Sequence, residues 1–144
     1  MSTLSRAIEI AVAAHAGQID KAGAPYILHP LRVMLSLETD VERIVGVLHD
    51  VVEDCPDWTM DRLRSEGFSP DILTALAHVT KLSEAEDYVA FIARAAQNPV
   101  ARRVKRADLL DNLDVRRLPV VSDKDAKRLS KYLAALQQLD AVNG

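Results

Sequence analysis

Apolar residues recur along this chain every three to four positions, in segments separated by short Gly- and Pro-bearing breaks. That period predicts helices throughout. Thr3 to Ala16 puts Ala7, Ile10, Ala11 and Ala14 on one face, with Arg6 and Glu9 off it. Gly17, Gly23 and Pro25 interrupt the pattern, so Gly17 to Leu28 reads as an ordered loop. His29-Pro30 restarts a helix through Leu37, since proline suits a first helical turn. Asp40 is placed to cap a helix over Val41 to Asp54, which ends before Cys55-Pro56. Thr59 caps a short helix ending near Gly67, and Ser69-Pro70 opens another to about Lys81. Helices over Glu84 to Gln97, Val100 to Leu113 and Asp123 to Leu139 follow, the last with Leu129, Leu133, Leu136 and Leu139 on one side. Strand-like alternation never exceeds a few residues. The expectation is an all-α fold: one compact bundle of about seven or eight helices over residues 1–144, with 122–140 as a C-terminal packing helix.

Composition narrows the function classes. The chain has 144 residues, 49% of them hydrophobic, enough for one domain with a real core. With 18 Lys+Arg against 21 Asp+Glu and only 4% aromatics, no nucleic-acid partner is expected. Unbroken apolar runs such as Ile10 to Ala14 are too short for a bilayer, and the N-terminus lacks a signal-peptide pattern. A single cysteine, Cys55, fits a reducing compartment. A cytoplasmic protein without a membrane partner is expected.

Three places put rare polar residues into otherwise apolar helices: His29, the run Leu48-His49-Asp50-Val51-Val52-Glu53-Asp54, and the segment Val104 to Leu113. On a helix His49 and Asp50 diverge by about 100° and can flank one ion. Glu53 and Asp54 stand one turn beyond them. Lys105, Asp108 and Asn112 share a face through three- and four-residue spacing. A lone histidine in an apolar helix is ordinarily a packing residue. An adjacent His-Asp pair followed by Glu-Asp is rarer, because burying unpaired charges is costly. One divalent ion would compensate that cost, and His29, His49, Asp50 and Asp108 offer a mixed nitrogen and oxygen set suited to Mn, Fe or Zn.

Other conspicuous residues read more plainly. His15 braces the loop after the first helix, His78 and Trp58 are packing residues, and Cys55 lacks a catalytic setting. The run Arg102, Arg103, Lys105, Arg106 reads as a solvated or phosphate-steering face.

The strings His15-x-Gly17-Gln18, Lys21-Ala22-Gly23-Ala24-Pro25-Tyr26-Ile27-Leu28-His29-Pro30, Leu48 to Asp54 and Val104-Lys105-Arg106-Ala107-Asp108-x-x-x-Asn112-Leu113 occur in this order. Together they resemble the hydrolase domain of the RelA/SpoT family, an HD-domain fold, over about residues 5 to 115. The resemblance implies one divalent metal ion, usually manganese, on His29, His49, Asp50 and Asp108. It implies that Glu53 and Asp54 handle the attacking water, and that Lys21, Lys105 and Asn112 lie in or beside a nucleotide pocket. The implied reaction removes the 3′-pyrophosphate from guanosine tetra- or pentaphosphate, in a small stand-alone hydrolase without the family's synthetase domain.

The chain departs from the family's habit at two positions. Asp20 stands where longer members have an arginine that packs on the base, and Val115 where a polar pocket residue is common. Two roles are open to Asp20: reading the guanine edge through N1–H and the 2-amino group, or pointing to solvent as a surface charge. Two other functions share the constellation: an HD phosphatase on another nucleotide, such as the 2′-phosphate of NADPH, and a non-catalytic nucleotide-binding regulator. Intact Glu53 and Asp54 speak against the regulator.

Overall fold

The computed structural model describes residues 2–142. Among these residues the chain forms α1 (Leu4–Ala14), α2 (Leu28–Leu35), α3 (Asp40–Asp54), α4 (Met60–Ser65), α5 (Pro70–Val79), α6 (Tyr88–Ala96), α7 (Pro99–Asn112) and α8 (Asp123–Asp140), with a 3-10 turn at Val115–Arg117. No described residue lies in a strand beyond one isolated bridge, Ile19 to Pro25, so the all-α expectation is met.

Local chemistry sets most boundaries. Thr3, Thr59, Ser69, Asn98 and Ser122 each turn a side-chain oxygen onto a first-turn N–H. The cap of α3 is Thr39, not Asp40. Thr39 accepts from the Glu42 N–H, and the Glu42 carboxylate accepts in return from the Thr39 and Glu38 N–H groups. α6 starts at Tyr88, four residues later than the periodicity suggests, because Asp87 caps it and residues 80–87 form a loop. On α8 the packed positions are Ala135 and Leu139 with Tyr132 and Leu136, whereas Leu133 is exposed.

α3 is the central helix, packed on α1, α2, α5 and α7. Ile44, Val45, Val47, Leu48 and Val51 are buried there among Ala7, Val33, Leu76 and Val104. Each such Val, Leu or Ile contributes about 1.5–3 kcal/mol on burial. Gly46 lets α2 approach. A Cβ at that position would stand 2.7 Å from Leu37 Cδ1 and 3.5 Å from Val33 Cγ1. Alanine there would gain up to about 1 kcal/mol of helix propensity, but only by displacing the buried Leu37. A second apolar cluster joins Phe91, Ile92, Leu109 and Leu139. α7 lies between the two clusters, giving Ala101 and Val104 to one and Leu109 to the other. Its remaining polar face meets the C-terminal half of α3, and there the unusual side chains converge.

Candidate active site

Four residues chosen for their rarity in apolar helices come together from three helices. His29 (α2), His49 and Asp50 (α3) each present one ligand atom, all within 4.8 Å of one another. Asp108 (α7) completes the group, with Oδ1 2.9 Å from His29 Nε2 and 3.4 Å from His49 Nε2. All four residues are buried.

The hydrogen bonds assign the imidazole nitrogens. His49 Nδ1 donates to the Gly46 carbonyl at 2.5 Å, which turns the Nε2 lone pair toward the carboxylates. Nε2 is buried without a hydrogen-bond partner, 3.3 Å from Asp50 Oδ2 and 3.4 Å from Asp108 Oδ1. A lone pair facing two anionic oxygens is repulsive unless a proton or a metal ion sits between them. His29 Nδ1 donates to Asp111 Oδ2 at 2.6 Å, leaving its Nε2 on the same shared point. Burial works to lower both imidazole pKa values, yet the aspartates outweigh it and raise His29 to about 10 and His49 to about 8. Burial likewise works to raise Asp108, but Lys105 and the two histidines hold it well below the usual carboxylate range. The group is built to hold positive charge, and the donor set fits a divalent ion.

Further side chains fix the carboxylates. The Tyr26 hydroxyl donates to Asp50 Oδ2 at 2.5 Å, and burial followed by the Asp50 charge pushes the phenol pKa up. Lys105 Nζ donates to Asp108 Oδ2 at 2.8 Å, and Asn112 Nδ2 to Asp108 Oδ1 at 3.2 Å. The shared face expected of Lys105, Asp108 and Asn112 is therefore one bonded cluster. Burial alone would lower Lys105, but Asp108 beside it raises its pKa and keeps it charged.

A cavity of about 650 Å³ opens on this group, lined by Glu53, Asp54, Lys105, Tyr88 and Lys131 among others. Glu53 Oε1 accepts the Lys81 backbone N–H at 3.2 Å. Burial, then the Asp50 charge, pushes the pKa of both Glu53 and Asp54 up. Lys21 and Asp20 line an adjoining cavity of about 430 Å³, which shares Tyr26, His29, Asn112 and Tyr132 with the first. Burial and the nearby Arg128 lower the Lys21 pKa. Asp20 Oδ1 accepts the Ala22 and Ala24 N–H groups, both at 2.9 Å. That staple closes the loop before Tyr26, a role beyond the two open in the sequence.

Residues outside the motifs read differently. His15 braces its loop as expected, with Nδ1 bonded to Gln18 Oε1 at 2.9 Å and its ring 5.0 Å from Tyr26. Cys55 is buried, its thiol donating to the Ala14 carbonyl at 3.4 Å. Trp58 is a packing residue beneath Arg62, whose guanidinium carbon lies 3.7 Å from the ring centroid. The basic run on α7 splits by helical angle: Lys105 enters the site, while Arg103 and Arg106 pair with Glu42 and Asp140. Val115 is exposed on the 3-10 turn.

Sequence reasoning missed Asp111 and Arg32. Arg32 grips Asp111 with Nε at 2.7 Å and Nη2 at 3.1 Å, so both flank the His29 ring. A signal existed: Arg32 follows His29 by three positions and Asp111 follows Asp108 by three, which puts each on its neighbour's helix face.

The HD-domain family model matches residues 7–139. The chain belongs to the HD-domain family. This HD domain is 34% identical over 139 residues to a guanosine-3′,5′-bis(diphosphate) 3′-pyrophosphohydrolase of Aquifex aeolicus, covering 89% of this chain and 19% of that protein. It is 32% identical over 151 residues to a probable GTP pyrophosphokinase of Mycobacterium leprae, covering 96% of this chain and again 19% of the relative. The HD domain thus spans about a fifth of the length of these curated relatives. A solved structure, described as a metazoan ortholog of SpoT that hydrolyses ppGpp, superposes with a TM-score of 0.80 at 23% identity. The match covers 100% of this chain and 89% of that one, and carries the fold.

Proposed function

We propose that this HD domain, a single hydrolase unit over residues 1–144, removes the 3′-pyrophosphate from guanosine tetra- or pentaphosphate in a metal-dependent reaction. The observation that carries the reading is the unpartnered His49 Nε2, aimed at Asp50 and Asp108 at the floor of a cavity holding Glu53, Asp54 and Lys105. The curated names of relatives such as the Aquifex protein support the substrate. A cytoplasmic setting fits the buried free thiol of Cys55. Among the described residues no helix is long and apolar enough to cross a membrane.

His29, His49, Asp50 and Asp108 would hold the ion, with manganese suited to two imidazoles and two carboxylates. Bound there, the ion supplies Lewis acidity that neutralises phosphoryl charge and acidifies a water. Glu53 or Asp54 takes a proton from the attacking water, and a raised pKa brings either carboxylate closer to that task. The water oxygen bonds to the phosphorus next to O3′, the P–O3′ bond breaks, and O3′ takes up the proton the carboxylate received and leaves as the 3′-hydroxyl of GDP or GTP. Lys105 presents a fixed positive charge to the pyrophosphate, and Lys21 offers another from the adjoining cavity. Such transfer depends mainly on positioning and electrostatics.

Hydrolysis of guanosine tetraphosphate, NADPH and simple nucleotides with added manganese, products resolved by chromatography, tests the reading. The expected products are GDP and pyrophosphate, lost on chelation. NADH and phosphate as the faster products would move the assignment to a nucleotide 2′-phosphatase. Binding without turnover of any substrate would make the chain a regulator.

A further inference from the structure

One guanidinium outside the cavity lining holds the loop between α5 and α6. Arg94 on α6 donates from Nη1 to the Ala77 carbonyl at 2.6 Å and from Nη2 to the Thr80 carbonyl at 2.7 Å. Its Nε and Nη2 also reach Glu86 Oε2 and Oε1, at 3.2 and 3.0 Å. Glu86 Oε1 in turn accepts the Leu82 N–H at 2.8 Å. Both ends of the 80–87 loop therefore close on one side chain.

The Thr80 carbonyl and the Lys81 N–H belong to one planar peptide unit. Arg94 grips the oxygen edge of that plane, and the nitrogen edge donates to Glu53 Oε1. A cation bonded to an amide oxygen polarises the amide and strengthens its N–H as a donor. The rigid plane also passes orientation from one edge to the other. Glu53 Oε1 is thereby tied down, on a residue that lines the cavity.

We propose that Arg94 is a positioning residue for Glu53, acting through the Thr80–Lys81 peptide plane. The inference rests on the reading of Glu53 as an acceptor of the water's proton. Arg94 also covers two carbonyls at the C-terminal end of α5, a purely structural duty. The test must separate the two roles.

The experiment is a double-mutant cycle on the full chain with Arg94→Gln, Glu53→Gln and the pair, read by kcat, KM and manganese affinity. Arg94→Gln is expected to lower kcat by about tenfold or more, as a slightly misplaced catalytic group does, with KM and metal affinity unchanged. In the Glu53→Gln background that loss should vanish. Arg94→Lys should recover part of it, and Lys with Glu86→Gln carries the same cycle if Arg94→Gln melts early by circular dichroism. An equal loss in both backgrounds would overturn the proposal and leave Arg94 a helix-end brace. Amide hydrogen exchange at Lys81 gives a readout that needs no turnover. Arg94→Gln and Glu53→Ala should each speed it without changing exchange in α3. Should the wild type fail to hydrolyse the tetraphosphate, the functional reading falls, and amide exchange still decides the Arg94–Glu53 link. Lys81 exchange unchanged by Glu53→Ala would sink it.

Discussion

Asp111 Oδ2 accepts the hydrogen bond from His29 Nδ1–H at 2.6 Å, while Asp108 approaches Nε2 of the same ring at 2.9 Å. One carboxylate thus sets the tautomer and the other shares the nitrogen that would face the proposed ion. Burial works to raise Asp111, but His29 and Arg32 hold its pKa at about 2, so it stays an acceptor. Carboxylates behind a ligating histidine raise its basicity and fix its plane. Asp111→Asn should weaken manganese binding by about 10- to 100-fold, read by titration calorimetry. Unchanged affinity would show that the protein backbone alone orients the ring.

Glu53→Gln keeps the shape and the Lys81 N–H acceptor but removes the proposed base. Manganese affinity should stay at the wild-type value while kcat falls by about 10²–10⁴-fold. Loss of metal in this variant would place Glu53 among the ligands instead.

How the ion binds should depend on pH with a definite sign. Without metal, His29 and His49 titrate at about 10 and about 8, above the ordinary histidine value of 6.5. Their contribution to metal-free stability is full below the unfolded value and is lost as pH rises through those folded values. A metal ion must displace these protons, so its affinity rises over the same range. The thermal shift caused by saturating manganese should therefore be larger at pH 9 than at pH 6. Binding at pH 7 should release protons, detected by calorimetry in buffers of different ionisation enthalpy. His49→Ala should abolish both the shift and the release.

Helical periodicity is a local signal, and it located the eight helices of the described residues because each buries a stripe of its own residues. It failed where distant groups decide. Glu84 to Asp87 are compatible with helix, yet Arg94 binds Glu86 and the Thr80 carbonyl while Glu86 accepts the Leu82 N–H, which holds the segment as a loop. On α8, Leu133 fits an apolar stripe by spacing, but the inward angle is set by Ala135 and Leu139 packing on Phe91 and Leu109. The capping box at Thr39-x-x-Glu42 was legible in the sequence and outweighs the nearer Asp40. Among candidate site residues, His29, His49, Asp50 and Asp108 stood out because charge in an apolar helix demands a reason. Asp111 did not, since its partners His29 and Arg32 are 82 and 79 positions away and meet it only where α2 meets α7.

Asp20 offers the last test, because its two oxygens have different environments. Oδ1 carries the Ala22 and Ala24 N–H groups and closes a turn that Gly23, at φ +85°, makes possible. The turn leads directly into Tyr26, whose hydroxyl anchors Asp50. Asn at position 20 retains an oxygen for both N–H groups, so Asp20→Asn should keep the fold and the metal site. It also removes a negative charge from the cavity wall that holds Lys21 and Arg32. Exposed charge pairs are worth about 0.2–1 kcal/mol, so KM for polyphosphates should fall by about 1.4- to fivefold. Guanine-over-adenine preference should stay within about twofold, since the staple, rather than base reading, occupies the carboxylate. Asp20→Ala removes both loop bonds and should cost about 1–2 kcal/mol of stability in a thermal melt. A tenfold drop in guanine preference for Asp20→Asn, about 1.4 kcal/mol in kcat/KM, would instead make Oδ2 a reader of the base edge.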